Sequence, residues 1–197
     1  GEDNTEGTED DKTYPIIDLI RLPKAERANY YDPNDFGYNG VIEINESNAY
    51  DFLSHFVVLK AFQSQDWAPY LRVTPSIVWA IEHMAYIFDA IDEISEPFDF
   101  RRPRKGVQIT SGYRTKNRNE SIYPPGSPNS SHMDGVAADI MVWVRDQEGK
   151  IVEVSGAALY EVADKVLIRS TGGVGKYPNR VHIDVRGPGR GGKWARW

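Results

Sequence analysis

The chain has 197 residues, 40% of them hydrophobic, which fits one medium domain that can bury a sizeable core. It has no cysteine, so disulfide frameworks, cysteine-based zinc fingers and thiol catalysis are excluded, and any metal site must use His, Asp or Glu. Most of the net charge of -6 arises in residues 1–12, which hold six of the 29 acids and one of the 23 bases. The other residues carry 23 acids and 22 bases, so the main part of the chain is nearly neutral and does not indicate binding of nucleic acid.

The pattern along the chain predicts three parts. Residues 1–12, GEDNTEGTEDDK, form a disordered acidic tail because they lack the apolar residues that a core needs. Residues 13–50 form a small N-terminal extension whose short apolar pieces are separated by turn residues, and residues 51–197 form the main domain. No apolar run approaches the roughly 18 residues needed to span a membrane, so we expect no transmembrane segment. The acidic leader resembles the tether that follows a lipidated cysteine in bacterial lipoproteins, which implies a lipid anchor upstream of residue 1.

The first predicted helix begins after Thr74. Thr74 suits the N-cap position, and Pro75 suits the first position inside a helix. Apolar residues then recur at spacings of three and four, which is the period of a helix with one buried face. The predicted buried face consists of Ile77, Ile81, Met84, Ala85, Phe88 and Ile91.

A loop and a second helix are predicted further along the chain. Residues 116–130, KNRNESIYPPGSPNS, are rich in Asn, Ser, Pro and Gly, so we expect a long irregular loop there. Ser155 suits the N-cap of the second helix. The predicted inner face of that helix consists of Leu159, Val162, Ala163 and Val166.

Three segments have the pattern of strands. They are VQIT at 107–110, VAADIMVWV at 136–144 and RVHIDVR at 180–186. In the last of these, aliphatic residues alternate with polar ones, which is the period of a strand with one buried face. Together with the two amphipathic helices, these strands predict an α+β fold in which helices pack against a mostly antiparallel sheet.

The polar side of the last strand carries His182 and Asp184. If the aliphatic residues face the core, these two side chains line a cleft. If His132 and Asp139 face the same cleft, two His and one Asp can hold a metal with one position left for water, as in catalytic zinc sites. Gly135 permits a tight bend of the backbone between His132 and Asp139. The spacing alone leaves a second interpretation open, in which these are ordinary polar residues of a strand and a turn.

Four ordered motifs resemble those of a known family. They are SGYRT at 111–115, SSHMDGVAAD at 130–139, GGVGKYPNRVHID at 172–184 and RGPGRGGKW at 186–194. They are similar to the motifs of the zinc D-alanyl-D-alanine carboxypeptidase family, the murein peptidases of the hedgehog/DD-peptidase fold. The resemblance covers roughly residues 52–197. It implies that fold, with a mostly antiparallel sheet, flanking helices and a zinc site on the open face of the sheet.

The resemblance also implies roles for the polar residues of these motifs. The zinc ligands that it implies are His132, Asp139 and His182. Arg114 matches the arginine that binds and polarises the substrate near the metal, and its alternative role is a structural salt bridge. Ser130 is expected to form a hydrogen bond to the substrate or in support of the site. Tyr177 is expected to touch the substrate.

One position departs from the family pattern. Many members carry Glu or Asp three residues before the third ligand, as general base for the metal-bound water, and this chain has Asn179 there, which cannot accept a proton. The candidate base is then Asp184, on the same predicted face as His182. Its competing role is support of that histidine. The His-x-Asp pairing is similar to a variant branch of the family that ends in the Arg-Trp segment.

The activity that the resemblance implies is zinc-dependent hydrolysis of a peptide bond in the peptidoglycan stem peptide or cross-link. Both carboxypeptidases and endopeptidases occur on this scaffold, and we expect an exported monomer in the periplasm or cell envelope. The alternative is a catalytically silent, zinc-containing module that binds the cell wall. Asn179 favours this alternative because it removes the usual proton acceptor.

Overall fold

The computed structural model describes residues 20–21, 40–54, 57–90, 106–167, 172–186 and 195–196. The predicted acidic tail lies outside these residues, as does nearly all of the closing RGPGRGGKW motif. Within the described ranges, no helix is long and apolar enough to cross a membrane.

A three-stranded antiparallel sheet joins the N-terminal extension to the main domain. Its strands, in the order of the sheet, are β1 (Ile20–Arg21), β2 (Gly40–Glu43) and β3 (Tyr70–Leu71). In β2, Val41 and Ile42 are buried in the same hydrophobic cluster as Leu71 of β3. The described part of the extension therefore packs on the main domain, while the division of the chain at residue 50 stays a prediction.

A five-stranded antiparallel sheet forms the centre of the main domain. Its strands are β4 (Gly106–Ser111), β5 (Ala137–Arg145), β6 (Ile151–Glu153), β7 (Gly173–Lys176) and β8 (Val181–Asp184). The order is β4-β5-β8-β7, and β6 pairs with the C-terminal end of β5. The three predicted strands correspond to β4, β5 and β8, so these predictions are confirmed.

The two faces of this sheet have different roles. Ile140, Val181 and Ile183 are completely buried in the hydrophobic core. Burial of each such side chain stabilises the fold by about 1.5–3 kcal/mol, so a one-residue shift in strand register, which would turn them away from the core, is strongly disfavoured. Asp139 and His182 alternate with them and therefore face the opposite side. The fold is α+β with antiparallel sheets, as predicted.

Helix α1 (Pro75–Ile87) begins where the sequence predicts. Thr74 is its N-cap, and Pro75 is its first residue. The buried part of the predicted face consists of Ile77, Ile81, Met84 and Ala85, so that part is confirmed. Phe88 is the C-cap, and Ile91 lies outside the described residues.

The segment predicted as an irregular loop contains a short helix. Helix α2 (Lys116–Ser121) begins after Thr115, whose hydroxyl accepts a hydrogen bond from the backbone N–H of Arg118 at 3.0 Å. This cap satisfies one of the N–H groups that a helix start leaves without a partner. The prediction of irregular structure is wrong for residues 116–121, because the cap outweighs the low helix propensity of the Asn residues.

The second predicted helix corresponds to α3 (Gly156–Val162), with Ser155 as its N-cap. Leu159 is completely buried, as predicted, whereas Val166 is 63% exposed. The prediction for Val166 is wrong because a π-helical turn (Ala163–Leu167) follows α3. A π turn has more residues than an α turn, which shifts the later side chains out of phase with the inner face.

Candidate metal centre

Three polar side chains come together on the face of the sheet that is turned away from the core. Asp139 of β5 is paired with His182 of β8 in the strand register, so the two side chains are neighbours on one face. His132 reaches the same place from the turn at 131–135 that leads into β5. All three residues are buried. The structure thus brings together the three residues that the sequence indicates as metal ligands.

Gly135 makes the tight turn before β5 possible. Its φ of +70° lies in the left-handed region, and its N–H donates a hydrogen bond to the carbonyl of His132 at 3.3 Å. A Cβ at this position would lie 2.5 Å from the carbonyl carbon of Arg72, so a side chain does not fit. The predicted tight bend is confirmed, and it sets the position of His132 relative to β5.

The three ligand atoms are close enough to share one metal ion. Oδ1 of Asp139 lies 2.9 Å from Nδ1 of His182 and 3.4 Å from Nε2 of His132. The two ring nitrogens are 3.1 Å apart. Ligand atoms at the usual distances from a tetrahedral zinc ion stand about 3.3 Å from one another. The donor set therefore fits such an ion, and three protein ligands leave a fourth position for water or substrate.

A backbone carbonyl orients His132. Nδ1 of His132 lies 2.7 Å from the carbonyl oxygen of Gly112 and, because a carbonyl only accepts hydrogen bonds, Nδ1 carries the proton. Nε2 is then unprotonated and faces Asp139 and His182, as a metal ligand must. Position 112 requires glycine, since a Cβ would lie 2.6 Å from Cα of Phe62.

A buried carboxylate orients His182. Nε2 of His182 lies 3.3 Å from Oδ2 of Asp184, which is completely buried. The guanidinium of Arg186 binds this carboxylate, with Nε donating to Oδ1 at 2.7 Å and Nη2 donating to Oδ2, and the N–H of Gly173 donates to Oδ1 at 2.9 Å. Burial alone would raise the pKa of Asp184, but the hydrogen bonds to its partners lower that pKa well below its usual value.

These contacts favour one of the two roles that the sequence leaves open for Asp184. A general base must reach the reacting water and have a pKa suited to accepting its proton. Both oxygens of Asp184 already accept hydrogen bonds, and the carboxylate contacts the ring nitrogen of His182 that does not contact Asp139. The geometry favours support of His182, and the base role stays a prediction.

The two histidines have opposite pKa shifts. Burial lowers the pKa of His132. Burial also acts to lower the pKa of His182, but hydrogen bonds to Asp139 and Asp184 outweigh it and raise that pKa. For Asp139, burial would raise the pKa, yet the charges and hydrogen bonds of the two histidines hold it well below its usual range. An ionised carboxylate between two imidazoles is the donor set that a divalent cation requires.

Arg114 contacts the predicted ligand Asp139 directly. Its Nη2 donates to Oδ2 of Asp139 at 2.8 Å, and its Nε donates to the hydroxyl of Ser111 at 2.8 Å. Burial lowers the pKa of Arg114, and the attraction of Asp139 acts against this shift. The salt bridge that was the alternative to substrate binding is therefore present. Nη1 makes no hydrogen bond to a described residue, so the two roles are compatible.

The other predicted contact residues do not belong to the group of converging ligand atoms. Ser130 is half-buried beside the turn that carries His132, and its hydroxyl makes no hydrogen bond to a described residue. Tyr177 and Asn179 lie in the turn between β7 and β8, and both are half-buried. The ring of Tyr177 stacks on the guanidinium of Arg180, with 4.5 Å from Cζ to the ring centroid.

Sequence reasoning missed three residues that hold the site together, namely Ser111, Gly112 and Arg186. The first two open the SGYRT motif, so the motif marks the correct segment without showing what these residues contact. Arg186 follows the same alternation as His182, and this was the signal that could have found it.

The antiparallel fold and the His/Asp/His group together define a protein with a candidate metal-dependent catalytic centre. The family model of peptidase M15 matches residues 72–184, which include all three predicted metal ligands. Because the match covers more than half of the chain, the chain belongs to this family of metallopeptidases, and the predicted resemblance is confirmed. The fold agrees with the hedgehog/DD-peptidase-like architecture expected of it. No curated protein and no solved structure matches the chain.

Proposed function

We propose that the protein is a zinc peptidase that hydrolyses a peptide bond in the stem peptide or the cross-link of peptidoglycan. The observation that carries this proposal is the convergence of His132, Asp139 and His182 on one face of the sheet, in a chain that belongs to a metallopeptidase family. A cell-wall substrate would place the protein in the periplasm or cell envelope.

The donor set supports zinc as the metal. Two imidazole nitrogens and one carboxylate oxygen suit zinc better than magnesium or calcium, which prefer oxygen ligands only. His132, Asp139 and His182 would hold the ion. A zinc ion bound there supplies a Lewis acid for the scissile carbonyl and a water whose pKa is lowered toward neutral.

Arg114 is suited to hold the substrate beside the metal. Asp139 and Ser111 fix its Nη2 and Nε, so the guanidinium has a defined orientation and Nη1 is available to a peptide carbonyl or carboxylate. A charge-assisted donor in a partly buried place stabilises negative charge more strongly than the same donor in water. Ser130 lies beside the turn that carries His132, and Tyr177 lies in the turn between β7 and β8. We assign both residues to contacts with the substrate.

The role of Asp184 can be tested with the substitution Asp184→Asn. If Asp184 only supports His182, the variant binds zinc less tightly but recovers most of its kcat at saturating zinc. If Asp184 accepts the proton, kcat stays lower by about 10²–10⁴-fold even at full zinc occupancy. The hydrogen bonds to both carboxylate oxygens favour the first outcome, and the base role of Asp184 is the competing prediction.

A catalytically silent, zinc-containing module that binds the cell wall is the second candidate. Asn179 favours it because an amide cannot accept the proton of the attacking water. The hydrogen bonds to both oxygens of Asp184 favour it too, because they make this carboxylate a poorer proton acceptor. Such a module would bind muropeptides and leave them intact.

Mass spectrometry of muropeptides separates the two candidates. Cross-linked and monomeric muropeptides are incubated with the protein as purified, after chelation, and after zinc is restored. His132→Ala is the ligand-deficient variant, and His83→Ala, on helix α1, is the matched control because His83 is not part of the converging group.

We expect cleavage products that are absent after chelation and form again when zinc is restored. The His83→Ala variant should still form them, and their masses identify the cleaved bond. Intact muropeptides in the presence of zinc-loaded protein would contradict the peptidase and support the silent module.

A further inference from the structure

Two arginines near the metal centre carry charges that no described carboxylate balances. Among the residues that the structure describes, neither Arg118 nor Arg180 forms an ion pair with Asp or Glu. Arg114 differs from them, because it is paired with Asp139. The chain as a whole has a net charge of -6, so unbalanced positive charge at this place does not follow from composition.

Arg180 is placed beside the ligand His182. It immediately precedes β8 (Val181–Asp184) and lies two residues before His182 in the chain. Tyr177 braces it, since Cζ of Arg180 lies 4.5 Å from the ring centroid and the N–H of Tyr177 donates to the Arg180 carbonyl at 3.2 Å. A guanidinium stacked on a ring keeps the N–H groups at its edge available to a ligand.

Arg118 is anchored to the strand that pairs with β5 at Asp139. Its Nη2 donates to Oε1 of Gln65 at 2.5 Å, and Nε2 of Gln65 donates to the carbonyl of Thr110 at 2.9 Å. The hydroxyl of Thr110 in turn donates to the carbonyl of Asp139 at 3.1 Å. This chain of hydrogen bonds fixes a second cation near the metal ligands.

The electrostatics of Arg114 agree with this placement. Burial is the main cause that lowers its pKa, and the like charges of Arg118 and Arg180 lower it further, against the attraction of Asp139. Arg114 contacts Asp139, Arg118 is linked by hydrogen bonds to the strand beside Asp139, and Arg180 immediately precedes the strand of His182. Asp139 is the counter-charge of only one of these three cations, Arg114. Such a field favours an anionic group on the ligand, and a bound metal would increase this preference.

We propose that Arg180, held on the ring of Tyr177, binds a free carboxylate of the substrate close to the scissile bond, and that Arg118 adds to the attraction. The inference rests on the proposed function, which brings a peptidoglycan peptide to this centre. Such peptides carry a free carboxylate at the C-terminus and another on a γ-linked glutamate. A guanidinium can bind either one through two parallel hydrogen bonds.

Four synthetic stem peptides identify the recognised carboxylate. One is the parent peptide, one is amidated at the C-terminus, one is amidated at the γ-linked glutamate, and one is amidated at both. For the wild-type protein we expect kcat/KM to fall about 10- to 100-fold when the recognised carboxylate is amidated, mainly through a higher KM. Amidation of the other carboxylate should have little effect.

Substitutions connect this preference to Arg180. Arg180→Gln should lower kcat/KM for the parent peptide to the level of the amidated peptide and leave cleavage of the amidated peptide nearly unchanged, which also shows that the variant is folded. Arg180→Lys keeps the charge but not the fork of donors, so its effect should be intermediate. Lys176→Gln removes an exposed cation from the same hairpin, on the side of the sheet shared with Val181, and is the matched control.

The outcomes separate this inference from the proposed function. If Arg180→Gln still prefers the free carboxylate as strongly as the wild type, or if Lys176→Gln has the same effect, the inference is overturned while the peptidase stands. If no peptide is cleaved, the proposed function fails, and calorimetric binding of the four peptides to zinc-loaded protein decides the inference. A preference that Arg180→Gln abolishes supports it, and equal binding of all four peptides overturns it.

Discussion

The two histidines of the candidate metal centre are held in different ways, although both present a ring nitrogen to the same point. His132 lies in a turn, and its second nitrogen donates to the neutral carbonyl of Gly112. His182 lies in a strand, and its second nitrogen contacts the carboxylate of Asp184, which Arg186 binds in turn. A neutral acceptor selects the tautomer, whereas an anionic acceptor also makes the imidazole a stronger base.

This contrast explains why the pKa values of the two histidines shift in opposite directions. Burial keeps His132 neutral, so its Nε2 is available for a metal without loss of a proton. His182 holds a proton more readily because Asp139 and Asp184 outweigh its burial, so a metal must compete with that proton. One predicted ligand thus depends on a hydrogen bond to the backbone, and the other depends on buried charges.

Removal of Asp139 should disturb both histidines at once, so we expect the largest effect from this substitution. Asp139→Ala removes a predicted ligand and the counter-charge of both histidines and of Arg114. The binding free energy of a protein-bound zinc ion is roughly 10–16 kcal/mol, and an equal share for each of about four ligands corresponds to a fall in zinc affinity of at least roughly 100-fold. The free energy of unfolding of the metal-free protein should fall by about 3 kcal/mol, because Arg114 loses its partner in a largely buried place. Zinc titration against a competing chelator and denaturant unfolding measure the two effects, and wild-type zinc affinity would show that Asp139 is not a ligand.

Removal of the charge behind His182 should have the next largest effect. Asp184→Asn keeps the shape of the side chain but weakens the support of the ligand, so zinc affinity should fall about 10- to 100-fold. Asp146→Asn is the matched control, because Asp146 caps the turn after β5 at the end remote from the centre. Equal zinc affinities for these two variants would contradict an electrostatic role for Asp184.

Disturbance of the backbone behind His132 should act on stability more than on zinc affinity. Gly112→Ala places a Cβ against the backbone of Phe62, and such overpacking costs about 1–3 kcal/mol of the free energy of unfolding. The charge on either histidine does not change, so zinc affinity should fall less than for Asp184→Asn. Chemical denaturation of the metal-free protein and zinc titration provide the comparison, and a variant as stable as the wild type would argue against close packing at this glycine.

The smallest expected effect is the difference in titration between the histidines of the metal-free protein. His182 should titrate above the usual value of about 6.5, and His132 should titrate below it. The raised pKa of His182 adds stability at pH values below about 6.5, and this contribution is lost as the pH rises through the folded-state pKa. The lowered pKa of His132 has the opposite sign and costs stability as the pH falls below about 6.5.

NMR titration of the ring Cε1 protons measures both pKa values. Asp184→Asn should lower the pKa of His182 and leave that of His132 nearly unchanged, because only His182 contacts Asp184. If both histidines titrate on the same side of 6.5, the contrast between their supports is contradicted.

Patterns within single elements predicted much of the fold. The Thr74-Pro75 pair and the spacing of three and four located helix α1, and the alternation from Val181 to Asp184 located β8. Both signals depend on neighbours within one element. The exposure of Val166 was predicted wrongly because a helix that changes its hydrogen-bonding pattern no longer follows one period.

Candidate ligands can also be named from the sequence, because the motif around His132 and Asp139 and the alternation around His182 concern residues close together in the chain. Local patterns do not predict that these residues lie next to one another in space. Asp139 and His182 are 43 residues apart, and the register that places them side by side results from the packing of aliphatic residues on the opposite face of the same strands. That packing places His182 beside Asp139, and the carboxylate of Asp184 then orients its ring. Local periodicity specifies the direction of a side chain within its own strand, whereas the core specifies which strand lies next to it.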